Sequence, residues 1–398
     1  MMLVARRSTL PGLRAGLQDL RSICSHLEIL PETEAAEAIN RELSSHTSTG
    51  LAPLRTWPSP PPAKTARARP VGDPFYWRRL WLTPWVAAAT QDLLKQNGYD
   101  LVQIEHSWAG GWLMHLQTDA VRVLTFHNLH WVLAERQHQM NQPGSADPDS
   151  GRLLRYESAL AQSFDLCLTT SESDRALLNS AAPAASISVV PNGVDSRYFD
   201  TTAVINGHAL SDGHGRISSV AFTGSLFYAP NIDAVQFFAS EIFPGVRVAY
   251  PDAVFIAAGK NPSASLLALG RDSNVQIAGD VPDTRPYLLG AKVVVVPLRA
   301  GSGTRLKILE ALSMKKAVVS TTIGCEGLAV EDQVHLLIAD TPKAFAAAVV
   351  RLLDDESLRI SLGEAGRKLV ENSYDWREIA EIQESAWADA LARKNRRL

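Results

Sequence analysis

The run Val293–Val296, four valines in a row, restricts the fold more than anything else in the chain. Consecutive β-branched residues with no polar alternation suit a strand covered on both faces, the situation of a parallel sheet flanked by helices. A loop must follow, because Gly301, Ser302 and Gly303 are poor in any helix interior. From Thr304 the composition turns to helix formers, with Leu306, Leu309 and Leu312 recurring at spacing three. This predicts a helix capped by Thr304 and ending near Met314, then a strand over Ala317–Ser320.

The first turn of that helix carries the wrong charges for a purely structural element. Helix N-termini already present about half a positive charge, yet Arg305 and Lys307 add two cations and Glu310 follows in the less favourable order. Each misplacement costs a few tenths of a kcal/mol to about 1 kcal/mol. A bound anion reverses that sign. Gly301, Ser302, Gly303 and Thr304 let backbone approach a ligand, so with the two cations they form a candidate diphosphate cradle. Glu310 shares a helix face with Lys307, where a carboxylate accepts hydrogen bonds from sugar hydroxyls. The competing reading is a Lys-Glu surface pair on an ordinary helix.

With 398 residues the chain exceeds the roughly 250–300 at which a single core stops growing, so two domains are expected. A net charge of -3 argues against a nucleic-acid partner gripped through its phosphates. Cys24, Cys167 and Cys325 are scattered without metal-ligand spacing, and no carboxylate cluster stands out. No metal and no cofactor are therefore expected. No apolar run reaches a membrane span, and the opening MMLVARRSTLPG lacks the apolar core of a signal peptide. A reducing, cytoplasmic location follows, with peripheral contact on the inner face of a membrane left open.

Along the chain, a helix is predicted over residues 13–24 and a strand over 26–30, followed by a proline-rich basic stretch over 53–70. Trp77, Trp81 and Trp85 fall four apart, either as a lipid or membrane contact or as domain packing. After a helix over 86–96, strands over 100–105 and 121–126 end in Glu105-His106 and His127-Asn128. Groups just past parallel strands face the ligand crevice, so all four are candidates by position. Residues 135–150 read as a polar loop. A helix over 153–163, a strand over 164–169, a helix capped by Ser171 and a short strand over 187–190 follow. Beyond a linker over 201–215, a second domain opens with Ser219–Thr223, the loop Gly224-Ser225, and a helix from Pro230 or Asn231 to Ala239, again a phosphate-site geometry. Alternating strands and helices continue to a last helix from Trp376, whose tail residues Arg393, Lys394, Arg396 and Arg397 either touch anionic lipid or are solvated.

The segment GTRLKILEA, the strand after it and the turn containing Glu326-Gly327-Leu328 resemble the donor-binding region of retaining family 4 glycosyltransferases, in particular exopolysaccharide-type members. Family-like phrases, among them PNGVDSRYF at the crossing between domains, extend from about residue 100 to Trp376. The resemblance implies an α/β GT-B fold of two doubly wound Rossmann-like domains facing a cleft. It places an acceptor-side domain at 1–200, a nucleotide-sugar domain at 201–375 and a helix crossing back at 376–398. His127 matches the family's active-site histidine beside the donor sugar, with Asn128 next to it. Gly279–Asp283, with Val281 at its centre, resembles the loop that meets the nucleotide base, and Glu326 is a further candidate donor contact. Two departures stand out. The family's Glu-(seven residues)-Glu motif matches Glu310 at its second acid but has Ser302 at its first. The arginine and lysine usual after the first strand of the second domain are replaced by Ser225 and the Pro230-Asn231 region, which shifts the cationic role to Arg305 and Lys307. The usual N-terminal strand and glycine-rich loop are also not visible.

The resemblance implies transfer of a hexosyl group from a nucleotide diphosphate sugar to a hydroxyl of a glycan or lipid-linked acceptor, with retention, in exopolysaccharide or cell-surface glycan synthesis, and the lack of a carboxylate cluster adds that no metal takes part. His127, Arg305 and Lys307 would be catalytic. Two alternatives remain: a catalytically inactive GT-B nucleotide-sugar-binding protein, and a GT-B sugar-nucleotide epimerase.

Overall fold

A computed structural model of the chain describes residues 90–95, 98–114, 116–141, 149–201, 219–270 and 274–396. The elements expected over 13–24 and 26–30, the proline-rich stretch, the tryptophan stripe and nearly all of the linker lie outside the described residues.

The first half forms a parallel sheet in the order β1-β2-β3-β4, from β1 (Leu101–Glu105), β2 (Val121–Phe126), β3 (Leu166–Thr169) and β4 (Ile187–Val189). Its helices are α1 (Ser107–Leu113), α2 (His130–Asn141), α3 (Ser150–Ser163) and α4 (Glu172–Ala181). Ser171 caps α4 as its sequence predicts, accepting from Asp174 N. The polar loop expected over 135–150 is corrected: residues through Asn141 are the second half of α2. Its amphipathic signal is weak, and what nucleates it comes from elsewhere. Glu157 on α3 is fully buried and its carboxylate accepts from His130 N at 2.9 Å and from Trp131 N at 3.4 Å. These are helix-end donors that would otherwise lack partners.

The second half is a parallel sheet in the order β10-β9-β8-β5-β6-β7, made of β5 (Ser219–Thr223), β6 (Val254–Gly259), β7 (Val275–Gly279), β8 (Val293–Val296), β9 (Ala317–Ser320) and β10 (Leu337–Ile338). The four valines of β8 are all buried between β5 and β9, as their pattern demands. Chain order runs outward from β5 through β6 to β7, then returns to β8 and runs the other way. The reversal leaves a crevice past the ends of β5 and β8, where open α/β sheets bind ligands. Two helices start there: α5 (Ala229–Phe237) after β5 and α6 (Leu306–Ser313) after β8.

The final helix, α7 (Trp376–Asn395), returns to the first sheet. Its Ile379, Ala386 and Ala390 pack against Val121, Val123, Leu166, Leu168 and Val190. The two crossings between domains are tied together, since Val194 N donates to Tyr374 O (2.8 Å), Trp376 N donates to Val194 O (3.2 Å) and Ser196 donates to the Asp375 carboxylate. Of the basic tail, Lys394 is engaged, donating to Ala120 O at 2.8 Å and lying 3.6 Å from Asp165. No helix among the described residues is long and apolar enough to cross a membrane.

Candidate functional site between the two sheets

The loop from Gly301 to Thr304 lies against the first domain. Gly303 has φ +75°, a region that favours glycine, and a Cβ there would sit 2.1 Å from His127 O and 3.1 Å from Asn128 Oδ1. Close approach of backbone to backbone therefore brings the glycine loop to the His127-Asn128 strand end. Ser302 Oγ accepts from Leu129 N (2.9 Å) and donates to Asp174 Oδ1 (3.1 Å), while Gly303 N donates to Asp174 Oδ2 (3.1 Å). The hydroxyl of Thr304 donates to Thr170 O at 3.0 Å. That bond explains a correction: Thr304 does not cap α6, which begins at Leu306 with Arg305 at the N-cap position and no side-chain cap. Thr304 is used to bridge domains instead.

Arg136 on α2 adds another bridge, donating to Gly301 O (2.6 Å) and bidentately to Glu326 (2.5 and 2.9 Å). The Glu326 contact holds the Arg136 guanidinium above its ordinary range. Neither Arg136 nor Asp174 stood out in the sequence, the first because it lay in an apparent loop, the second because an acid in a helix first turn already has an explanation. Burial raises the Asp174 carboxyl, against the hydrogen bonds from Ser171, Ser302 and Gly303 that favour its ionised form.

Ser302 is thus committed to the domain contact, being 7% exposed beside an Asp174 that is 4% exposed. Ser302→Ala is expected to cost about 1–3 kcal/mol of stability, since it strips partners from a buried amide and a buried carboxylate. Ser302→Glu, which writes in the acid of the resembling family, should lower the melting temperature further by placing a second carboxylate against Asp174. Thermal unfolding of the two variants checks this; a glutamate variant as stable as the parent would contradict it.

The two cations separate. Arg305, 6% exposed, is turned under the loop, with Nη1 donating to Ser302 O and Gly303 O (2.5 Å each) and Nη2 to Ile323 O (3.3 Å). Its Nε is buried without a partner among the described residues, and burial lowers its pKa. Lys307 instead crosses the crevice, donating to Asn231 Oδ1 at 2.6 Å with its ammonium 4.0 Å from the centre of the Phe222 ring. Asn231 Nδ2 donates in turn to Ser225 O (2.9 Å). Gly224 has φ +149°, and a Cβ there would lie 3.0 Å from Lys307 Nζ. The lysine has therefore been brought from α6 to the glycine loop that opens α5, the place where the resembling family carries its own cations. Burial pushes the Lys307 ammonium down to about 7, with Glu310 acting the other way. Burial raises the Glu310 carboxyl, with Lys307 opposing, and the carboxylate makes no hydrogen bond with the described residues.

On the opposite wall, His127 Nε2 is 2.8 Å from Glu105 Oε2, and the His106 ring is tilted against the His127 ring at 4.5 Å. His106 has φ +71° and also stacks on Trp108 at 5.3 Å. Burial and the neighbouring His127 lower His106 to about 4. Val281 is buried, with Asp280 beside it holding Asn261 N at 2.8 Å. Ser225 is exposed at the mouth of the crevice, next to Phe227 and Tyr228, which are also exposed.

Comparison with known proteins agrees with this architecture. Residues 45–198 match the model of Glycosyltransferase Family 4 and residues 218–355 that of Glycosyl transferases group 1. The phosphatidylinositol N-acetylglucosaminyltransferase subunit of Arabidopsis thaliana is 23% identical over 293 residues, 72% of this chain, which spans 60% of that protein's length. D-inositol 3-phosphate glycosyltransferase of Corynebacterium glutamicum (strain R) is 24% identical over 321 residues, covering 75% of this chain and 74% of that one. Among solved structures, Anabaena Alr3699/HepE in complex with UDP and glucose superposes with a TM-score of 0.64 at 15% identity, covering 98% of each chain. That likeness fixes the GT-B fold, with its two Rossmann-like halves.

Proposed function

We propose that this chain, which carries a glycosyltransferase family 4 domain followed by a group 1 glycosyltransferase domain, moves a hexosyl group from a nucleotide diphosphate sugar to a hydroxyl of a glycan or glycolipid, with retention at the anomeric carbon. The observation that carries this reading is Lys307 Nζ held beside the Gly224 backbone at the opening of α5. A helix N-terminus, a glycine without a side chain in the way and a poorly solvated ammonium together favour a diphosphate. As the glycosidic bond breaks, negative charge grows on the leaving phosphate, and a fixed ammonium stabilises it without reorganisation. That role leaves no charge-neutralising task for a metal, and turnover is expected to persist in chelator. Arg305 acts from beneath, holding the loop carbonyls inward and adding positive field. Glu310, whose carboxylate has no hydrogen-bond partner among the described residues, takes sugar hydroxyls. His127 and Asn128 face the sugar from the first domain. In the retaining reaction the leaving phosphate itself takes the acceptor proton on the same face, so no second carboxylate is required.

A specific observation supports one alternative, an inactive nucleotide-sugar-binding protein: the residue at the first acid position, Ser302, is occupied by Leu129 N and Asp174. A thermal-shift screen of uridine, guanosine and adenosine diphosphate sugars tests binding, where ligand at 100 times its Kd adds about 2.7 kcal/mol. Nucleotide release with an acceptor pool that includes inositol phosphates and phosphatidylinositol, prompted by the names of the two relatives, tests transfer. Binding without release in any pool would favour the inactive reading.

A further inference from the structure

A continuous run of hydrogen bonds leads from the returning helix to the candidate active-site histidine. On α7, Trp387 Nε1 donates to Gln103 Oε1 (2.7 Å), and Gln383, one turn earlier, donates to the same oxygen (3.3 Å). Gln103 Nε2 donates to Glu105 Oε1 (2.6 Å), and Glu105 Oε2 meets His127 Nε2 (2.8 Å). The polarity of this run is dictated by its first member. An indole N–H only donates, so the oxygen of Gln103 must face α7 and its amide nitrogen must face Glu105. Gln103 then offers Glu105 only a donor. Burial alone would raise the Glu105 carboxyl, but the hydrogen bonds from His127 and Gln103 hold it below the ordinary value, so it is ionised and only accepts. The proton between Glu105 and His127 therefore resides on Nε2.

We propose that Glu105 is a positioning residue that locks His127 in its Nε2–H tautomer, with the polarity set by Trp387 through Gln103, so that Nδ1 is the atom His127 presents to a substrate hydroxyl. The proposal rests on the glycosyltransferase reading above and deepens it. It assigns His127 to accepting from a sugar hydroxyl rather than donating to phosphate, which leaves the phosphates to Lys307 on the opposite wall. It also makes the helix that crosses back from the second domain part of the sugar site, since two of its side chains orient Gln103. His106, whose ring is tilted against that of His127 at 4.5 Å and whose pKa is lowered to about 4 by burial, adds no competing charge.

The test uses the full chain labelled with nitrogen-15 histidine, in which long-range proton–nitrogen correlations distinguish the two tautomers; loss of one signal set in His127→Gln identifies that ring. In the parent, His127 is expected as the Nε2–H tautomer. Glu105→Ala should produce a mixture, Glu105→Gln should retain the bond in part because its amide oxygen still accepts, and Trp387→Phe should loosen the preference by releasing Gln103. In parallel, kcat with the accepted nucleotide sugar should fall about tenfold in Glu105→Ala, the scale of one lost hydrogen bond, with partial rescue by Gln and the donor KM within about twofold. An unchanged tautomer in Glu105→Ala overturns the proposal, as does full kcat when the tautomer is lost. If the parent turns over no nucleotide sugar, the functional reading fails by itself, while the spectra still decide the role of Glu105.

Discussion

Lys307→Met is expected to abolish the thermal shift produced by a nucleoside diphosphate sugar and to reduce turnover by about 10²–10³-fold, the range for removing one preorganised group that stabilises a developing anion. The same substitution should leave the ligand-free protein as stable as the parent at pH 7, or more stable. The reason lies in the surroundings of the ammonium. It has Asn231 Oδ1 and the face of Phe222 for company, and the acid that acts on it is Glu310 on its own helix. Burial lowers its pKa from an ordinary 10.5 to about 7, so the charged form is penalised in the folded state. The unfolded chain binds the extra proton between those two values. The penalty is thus full below about pH 7 and fades as pH rises toward 10.5. A diphosphate restores the charge, so binding at pH 8 should take up close to one proton per site, about what full reprotonation of a single amine supplies. Calorimetry in two buffers of different ionisation heat measures it. Binding with no proton uptake, or uptake that survives in Lys307→Met, would place the phosphates elsewhere.

The second large effect is expected at Gly303. Alanine there would have to hold φ near +75° and place its methyl 2.1 Å from His127 O, with Gly303 N also required by Asp174. No rotamer relieves this, because a Cβ is fixed by its own backbone and the atom it meets is a backbone oxygen. Either the loop or the end of β2 has to move by an ångström or more, and shifts of that size cost about 10²-fold where reacting groups must be aligned. Gly303→Ala should therefore lose most turnover while each sheet keeps its own core. A lowered melting temperature with unchanged far-ultraviolet circular dichroism, alongside a kcat loss of that order, is the expected pattern. Parental activity in this variant would show that the loop need not meet the first domain during catalysis.

The local sequence determined the strands and most of the helices. Val293–Val296 could be read as doubly covered because a parallel strand announces itself by the absence of polar alternation, and Ser171 could be read as a cap because its partner amide is three residues away. Such signals are short-range, set by periodicity and by side chains that reach only their own turn. The glycine loop was visible because its residues are poor in any helix interior, and Lys307 and Glu310 because their charges were wrong for an isolated helix.

What the tertiary structure decided was the employment of those groups. Lys307 and Arg305 are two residues apart and looked equivalent, yet one reaches Asn231 across the crevice and the other serves the carbonyls of its own loop. Thr304, read as a cap, and Ser302, read as a ligand-facing loop residue, take partners more than a hundred positions earlier, and Glu157 supplied the missing start of α2 from another helix. No local pattern encodes these choices. Hydroxyls, guanidiniums and carboxylates satisfy whichever buried donor or acceptor lies within about 3 Å, and which one that is depends on how two separately folded sheets are set against each other by the crossings at Val194 and Trp376.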